Sequence, residues 1–565
     1  MTRTNSTGRG RPAVPFVTPT VRRVIAAEAA AVATILALST AQVPLTWALL
    51  AAGAVALVPF VAVRRRPVVH WLRAIWRFLA DRSPAVGVTT EHVDRAGRPV
   101  GVHWQRDTVT CTIELLPPQH ATTVLGRASA ETQHVLAVDA LASCLRQHDI
   151  EIRSIDVIAL GFRSAPGSIA TEVYEGLIGP LPAVADRTVW VAVTLDLRTN
   201  ARAIDVRGGG RAGAARTAVV ASTRIQRALR AHGQYSKLST GAELRSAVLA
   251  MCRGVSSDDL TQTWSTAPLP GVSSTGFGID CSAITAEDIS TLWATSSLGT
   301  TMSFRLQPAR DPDKVRVSGS CRFVTRTTLA RPRVRALTSM SGSQRDGMFA
   351  QLPLAIPALD SLSPCTVLDV STLNEFLLPV SGCGQLVGSD ARGNGVAVRL
   401  FGPGLARVRI AGELYLAQQL LFRAIATGAR VIVRTDRPHA WRALLDAMNA
   451  PDRLLVVDGN DSRSRSAYDV ILIDFAHGSA PPPQQQLSGI TVMTLTEHAP
   501  QRGSSEQEQG PPPSEPDLTI VQPHASGDRV RVRSGPVDVE LTLVTIPQET
   551  AFIGRPRSLR PAVRA

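Results

Sequence analysis

The residues of this 565-residue chain that could do chemistry are an aspartate pair, a glycine run and a strand-end acid. Asp311-Pro312-Asp313 has the D-x-D spacing in which two carboxylates hold a divalent ion against a nucleotide-sugar pyrophosphate, since hard cations take oxygen ligands. Asp and Pro are also turn formers, and the tripeptide lies between two strand-like runs, so an ordinary turn is the favoured account. Gly208, Gly210 and Gly213 fit G-x-G-x-x-G ahead of a helical stretch. A dinucleotide site also wants a strand directly before the glycines and an acid about 20 residues on. Ten residues separate the preceding strand-like run from Gly208, and no Asp or Glu occurs between Asp205 and Glu243. The run is therefore expected to be a flexible lead-in to a helix. Ala406–Leu420 has the strand–turn–helix outline of a P-loop unit, yet no G-x-x-x-x-G-K-[ST] occurs and the two lysines, Lys237 and Lys314, lie elsewhere. Without that lysine and the hydroxyl for magnesium, nucleotide hydrolysis is disfavoured. Asp474 ends the apolar run Tyr468–Phe475, where a metal-holding acid could sit; alone it predicts a buried strand and a turn. The eleven histidines form no H-x-x-x-H pair, no G-x-S-x-G elbow occurs, and the seven cysteines are scattered. That cysteine pattern points to reduced thiols and against a disulfide framework or zinc site. No catalytic residue, cofactor or metal site is assigned.

The elements that must carry such residues begin with two apolar stretches, 24–41 (VIAAEAAAVATILALSTA) and 45–63 (LTWALLAAGAVALVPFVAV), joined by Gln42-Val43-Pro44. At about 1.5 Å per residue each is close to the ~30 Å of a bilayer core. Arg22 and Arg23 precede the pair, Arg64, Arg65 and Arg66 follow it, and the turn carries no cation. That asymmetry predicts a transmembrane hairpin (22–66) with both termini cytoplasmic. A cleaved secretory signal does not explain the second stretch, and a buried soluble hairpin would show a polar stripe. Ala48, Ala52 and Ala56, with Gly53 beside them, form a small face on the second stretch that suits close helix packing in lipid. Residues 67–82 (PVVHWLRAIWRFLADR) have helical spacing of apolar and basic positions and predict an interfacial helix with Trp71 and Trp76 at headgroup level. The net charge is +14, but residues 1–82 hold eleven arginines against two acids. The basic excess is thus a membrane-flank feature suited to anionic lipids, and nucleic acid is not an expected partner.

Residues 1–21 are expected to be a disordered cytoplasmic tail. Strand and helix signals alternate through 83–390, predicting an α/β domain with an irregular excursion at 255–289. A second α/β unit is expected at 391–480, its strands short and apolar like those of a buried parallel sheet. Residues 481–565 are expected to be a Pro/Gln-rich linker and terminal strands.

The tail, hairpin, R-R-R and Trp-bearing helix precede VWVAVTLDLRTNARAIDVRGGGRAGAARTAVVASTRIQRALRAHG and LSTGAELRSAVLAMCRG. Together these resemble EccE, a membrane component of the actinobacterial type VII (ESX) secretion machinery. The similarity is best over residues 20–260 and extends to 400–445. The resemblance implies a non-enzymatic structural subunit of the plasma-membrane complex, packed against EccB- and EccD-type partners and near the EccC-type ATPase that drives export. It also implies a glycosyltransferase-like fold for the cytoplasmic region. That fold brings the alternative with it, a membrane-anchored glycosyltransferase using Asp311 and Asp313.

Overall fold

A computed structural model describes residues 21–60, 62–63, 66–80, 85–119, 122–127, 129–359, 362–458, 468–475, 489–497, 515–523 and 527–554. The expected tail (apart from Val21, which starts a helix), Arg64 and Arg65, and much of 481–565 lie outside them.

Two helices, α1 (Val21–Thr40) and α2 (Leu45–Leu57), pack against each other as a hairpin. α2 stops well before residue 63. Pro59 brings no N–H to the helix, and the chain passes into a 3-10 turn, Val58–Phe60. The two expected spans are corrected here: among the described residues no helix is long and apolar enough to cross a membrane. α1 has the length but carries Arg22, Arg23 and Glu28, whereas α2 is apolar but its 13 residues rise only about 20 Å. After a short strand pair (Ala62–Val63 with Arg66–Pro67) comes α3, Val68–Leu79, inside the 67–82 expected.

The first large sheet is antiparallel throughout. In space its strands run Ala267–Leu269, Val272–Ile279, Lys314–Thr325, Gly299–Pro308, Ile150–Phe162, Asp186–Asp196, Thr108–Leu115, Pro99–Gln105 and Val88–Val93. The α/β alternation expected over 83–390 thus comes with an antiparallel sheet, for a physical reason. Along Asp186–Asp196, Val189, Val191, Val193 and Leu195 enter one core while Trp190 and Ala192 enter another on the opposite face. Helix Gly210–Ala231 covers the first face and helix Gly241–Met251 contributes to the second. With both faces buried, an antiparallel strand loses its polar alternation and looks like a parallel one. Across this sheet Arg305 and Asp156 sit opposite each other, buried and ion-paired at 2.5 Å.

The second sheet is mixed. Leu454–Asp458, Val431–Thr435, Val470–Asp474, Thr491–Thr496, Arg407–Ala411 and Leu518–Val521 lie side by side and parallel, as the short apolar runs predict. Antiparallel strands continue it: Arg529–Ser534, Val537–Leu543, Gln385–Ser389, Gly395–Val398, Thr122–Leu125 and Ala130–Thr132. The unit is thus larger than 391–480. It takes in the terminal strands, and residues 122–132 cross into it from the first unit's stretch of chain. Helix Leu414–Ala426 is buried along nearly its whole length. Its Arg423 spends every N–H: a bidentate pair with Glu549 (2.7 and 2.8 Å) and bonds to the carbonyls of Leu386, Val387 and Val544. That node ties the C-terminal helix Pro547–Ile553 into the same core.

Candidate functional sites

The carboxyl ends of parallel strands are where open sheets bind ligands. Arg407–Ala411 lies between Thr491–Thr496 and Leu518–Val521, and only Gly412-Glu413 separates it from the helix at Leu414. A P-loop would place a long glycine loop there to cradle phosphates. Here the Gly412 N–H donates to the Thr496 carbonyl (3.0 Å) and the Glu413 N–H to Gln522 Oε1 (2.9 Å). A Cβ on Gly412 would come within 2.7 Å of Gln522 Oε1, so the glycine serves this closure. The turn is capped by its own neighbours.

Two strands away, Asp474 is fully buried at the end of Val470–Asp474. It accepts from Thr435 Oγ1 (3.1 Å), Trp441 Nε1 (2.8 Å) and Arg437 Nη2 (2.6 Å), and Arg437 Nε adds a fourth donor. Arg437 also donates through Nη1 to Glu497 (2.9 Å). Donation to the Asp474 carboxylate pushes the Arg437 guanidinium above its ordinary pKa. A carboxylate offers about four lone-pair sites, so Asp474 has no acceptor capacity left for a cation. The reading of Asp474 as a buried strand end agrees with this. Arg437 and Trp441, which close the site, were not singled out in the sequence; the T-D-R-P turn after Val431–Thr435 was the available signal.

Asp311 and Asp313 occupy an exposed turn between Gly299–Pro308 and Lys314–Thr325. The Asp313 N–H donates to Asp311 Oδ1 (3.1 Å) and the Lys314 N–H to the Asp311 carbonyl (3.3 Å). Asp311 caps its own turn in this way, and among the described residues no group of three His, Cys, Asp or Glu converges on a metal position. Gly208, Gly209 and Gly210 have φ of +99°, +64° and +55°, turning helix Ala201–Val206 into helix Gly210–Ala231. A Cβ on Gly213 would lie 2.6 Å from the Ile204 carbonyl oxygen. A helix thus stands between the strand and the glycines, whose role is helix packing.

The hairpin's small face is used inside the hairpin. Ala48 and Ala52 are buried, α2 packs on α1, Ala56 is half-buried and Gly53 is exposed. Arg22, Arg23 and Arg66 lie on described backbone, but their side chains, like Arg64 and Arg65 entirely, lie outside the described residues. α3 has two apolar faces. Trp71 stacks on Trp264 of the first unit (6.2 Å between centroids), and Phe78 meets the same ring edge-on (5.5 Å). Leu72, Ile75, Trp76 and Leu79, spaced i, i+3, i+4, i+7, form an exposed stripe on another side. Of the two tryptophans expected at headgroup level, Trp76 belongs to that stripe, whereas Trp71 is docked on Trp264.

Residues 183–279 match the family model described as "Putative type VII ESX secretion system translocon, EccE". The matched segment holds the central Asp186–Asp196 strand, the glycine turn and the helix covering the first core. The ESX-1 secretion system protein EccE1 of Mycolicibacterium smegmatis is 28% identical over 371 residues, 61% of this chain and 68% of that protein. EccE1 of Mycobacterium tuberculosis is 29% identical over 180 residues, covering 30% of this chain and 37% of that protein. The ESX-2 secretion system protein EccE2 of Mycobacterium tuberculosis is 25% identical over 350 residues, covering 61% and 62%. The matches to the two M. tuberculosis proteins thus span less than two thirds of their lengths.

Proposed function

We propose that this chain, an EccE-type component of a type VII (ESX) secretion system, is a non-enzymatic structural subunit that holds a cytoplasmic scaffold at the plasma membrane. The observation that carries the proposal is α3, which docks on the first unit through Trp71 and Phe78 and turns a second apolar stripe outward. Exposed apolar patches of that kind mark membrane or protein contacts. The hairpin adds Val32, Leu36, Leu45, Trp47, Leu49 and Leu50, all exposed. Seated from the cytoplasmic side among anionic lipids, it leaves both termini cytoplasmic, and α2 need not cross the full bilayer. Energy for export comes from an EccC-type ATPase, with EccB- and EccD-type subunits as further partners. The closed edge at Asp474 supports a role without chemistry. Purification from native membranes in mild detergent, followed by mass spectrometry, tests the reading. EccB-, EccC- and EccD-type subunits should accompany the chain, and recovery of the chain alone from the soluble fraction would overturn it.

A further inference from the structure

Where the two sheets meet, a cavity of about 570 Å³ opens between the start of the Asp186–Asp196 strand and the end of Gly395–Val398. The units are stitched along its wall by backbone bonds, the Cys383 N–H to the Val184 carbonyl (2.8 Å) and the Gly384 N–H to the Ala185 carbonyl (3.0 Å). The seam tolerates no side chain at Gly382 or Gly384. A Cβ on Gly382 would lie 2.3 Å from the Ala185 oxygen, and one on Gly384, at φ +75°, 2.3 Å from the Val398 oxygen.

Two arginines line this cavity. Arg187 lies with its guanidinium 4.3 Å from the centre of the Trp293 ring and donates from Nη1 to the Ser381 carbonyl (3.2 Å). Arg399 donates from Nη2 to the Pro118 carbonyl (2.6 Å). The Nε–H of each is buried and has no partner among the described residues. A guanidinium carries five N–H donors, so the two arginines spend a small part of their capacity, whereas Arg423 spends all of its own. Burial pulls both down to a pKa of about 10, against a smaller opposing pull from Asp186. Two of the other acids at the cavity are engaged elsewhere. Glu114 is engaged by Lys237 (3.5 Å) and Asp469 by Arg430 (3.3 Å). Asp186 faces the same space and attracts both arginines without forming an ion pair with either among the described residues, and burial raises its carboxyl above the ordinary range. Solvent nevertheless reaches Asp186, so the cavity is open to a ligand.

We propose that this junction cavity binds a small oxyanion, the phosphate or carboxylate group of a soluble metabolite, between Arg187 and Arg399, and that binding tightens the seam between the units. Paired guanidinium forks match planar carboxylate and phosphate oxygens. A ligand held only by the joined units stabilises them by mass action. The inference does not depend on the scaffold reading, since it concerns a site away from α3 and the hairpin.

The full chain in mild detergent is titrated at constant ionic strength with inorganic phosphate, pyrophosphate and citrate, following both heat and the unfolding temperature. A saturable rise with at least one of them is expected; preference for phosphate or pyrophosphate over citrate identifies a phosphate site, and the reverse a carboxylate site. Arg399→Gln should weaken binding at least tenfold with the circular dichroism spectrum unchanged. Asp186→Asn, which removes a negative group facing the site, should tighten it severalfold. The exposed Arg529→Gln serves as control and should leave it unchanged. No saturable binding by any of the three anions, or equal loss with Arg399→Gln and Arg529→Gln, would overturn the proposal.

Discussion

The carboxyl edge of the parallel strands and the junction cavity both bring arginine close to aspartate, with opposite results. At the edge, Asp474 is surrounded by Thr435, Trp441 and a bidentate Arg437, and the neighbouring turn is capped by Gln522. The position that would serve a ligand in a nucleotide-binding sheet is filled by the protein itself. At the junction, Arg187 and Arg399 each make one hydrogen bond among the described residues, and Asp186 forms no ion pair with either. The difference teaches where to look for function in this molecule: polar side chains that are fully satisfied from within hold structure, and those left short of partners are open to something else.

The largest test of that contrast is Asp474→Ala. It strips a buried charge pair of one partner, a change that typically costs about 3–5 kcal/mol. Denaturant unfolding should show a loss of that order, whereas Asp186→Asn should be near neutral or stabilising. Equal destabilisation by the two would erase the distinction. Next comes His103, which is buried and hydrogen-bonded through Nδ1 to Thr89 Oγ1 (3.0 Å). Burial lowers its pKa to about 4. The folded form therefore binds fewer protons than the unfolded form between about pH 6.5 and 4, so stability falls as pH drops through that window and levels off below it. The loss by pH 4 should be on the order of 3 kcal/mol, and His103→Gln should flatten this part of the pH profile. Trp264→Ala follows. It removes the ring shared by Trp71 and Phe78 and should cost about 2 kcal/mol, since aromatic pairs add to the area they bury. Faster proteolysis between α3 and the first unit would report it, and an unchanged digestion pattern would show that α3 is held by other contacts.

Much of the fold was legible locally. The strand–turn–helix at Ala406–Leu420 and the glycine lead-in to helix Gly210–Ala231 have the expected element types, because periodicity and turn chemistry act over a few residues. Partner choice was not legible. VWVAVTL looks the same in a parallel sheet as in an antiparallel one covered on both faces, and the Arg437–Asp474 bond closes over 37 residues. Nothing in the sequence of the terminal strands names Arg407–Ala411 or Gln385–Ser389 as their neighbours. Hydropathy continues through Pro59 to residue 63, although α2 does not. The small face at Ala48 and Ala52 was visible, but the sequence does not say that α1 is what fills it.

The smallest structural effect is expected at Asp311 and Asp313, where the double change to alanine should cost about 1 kcal/mol or less, as exposed substitutions do. That variant also tests the central claim most directly, since the account assigns this chain to holding the secretion machinery together without chemistry. In cells lacking the native protein, the amount of exported substrate is measured after complementation with the Asp311→Ala/Asp313→Ala chain. The account predicts export at the parental level. Export abolished while the variant still accumulates and still co-purifies with the EccB-, EccC- and EccD-type subunits would contradict it, and would return the aspartate pair to catalysis.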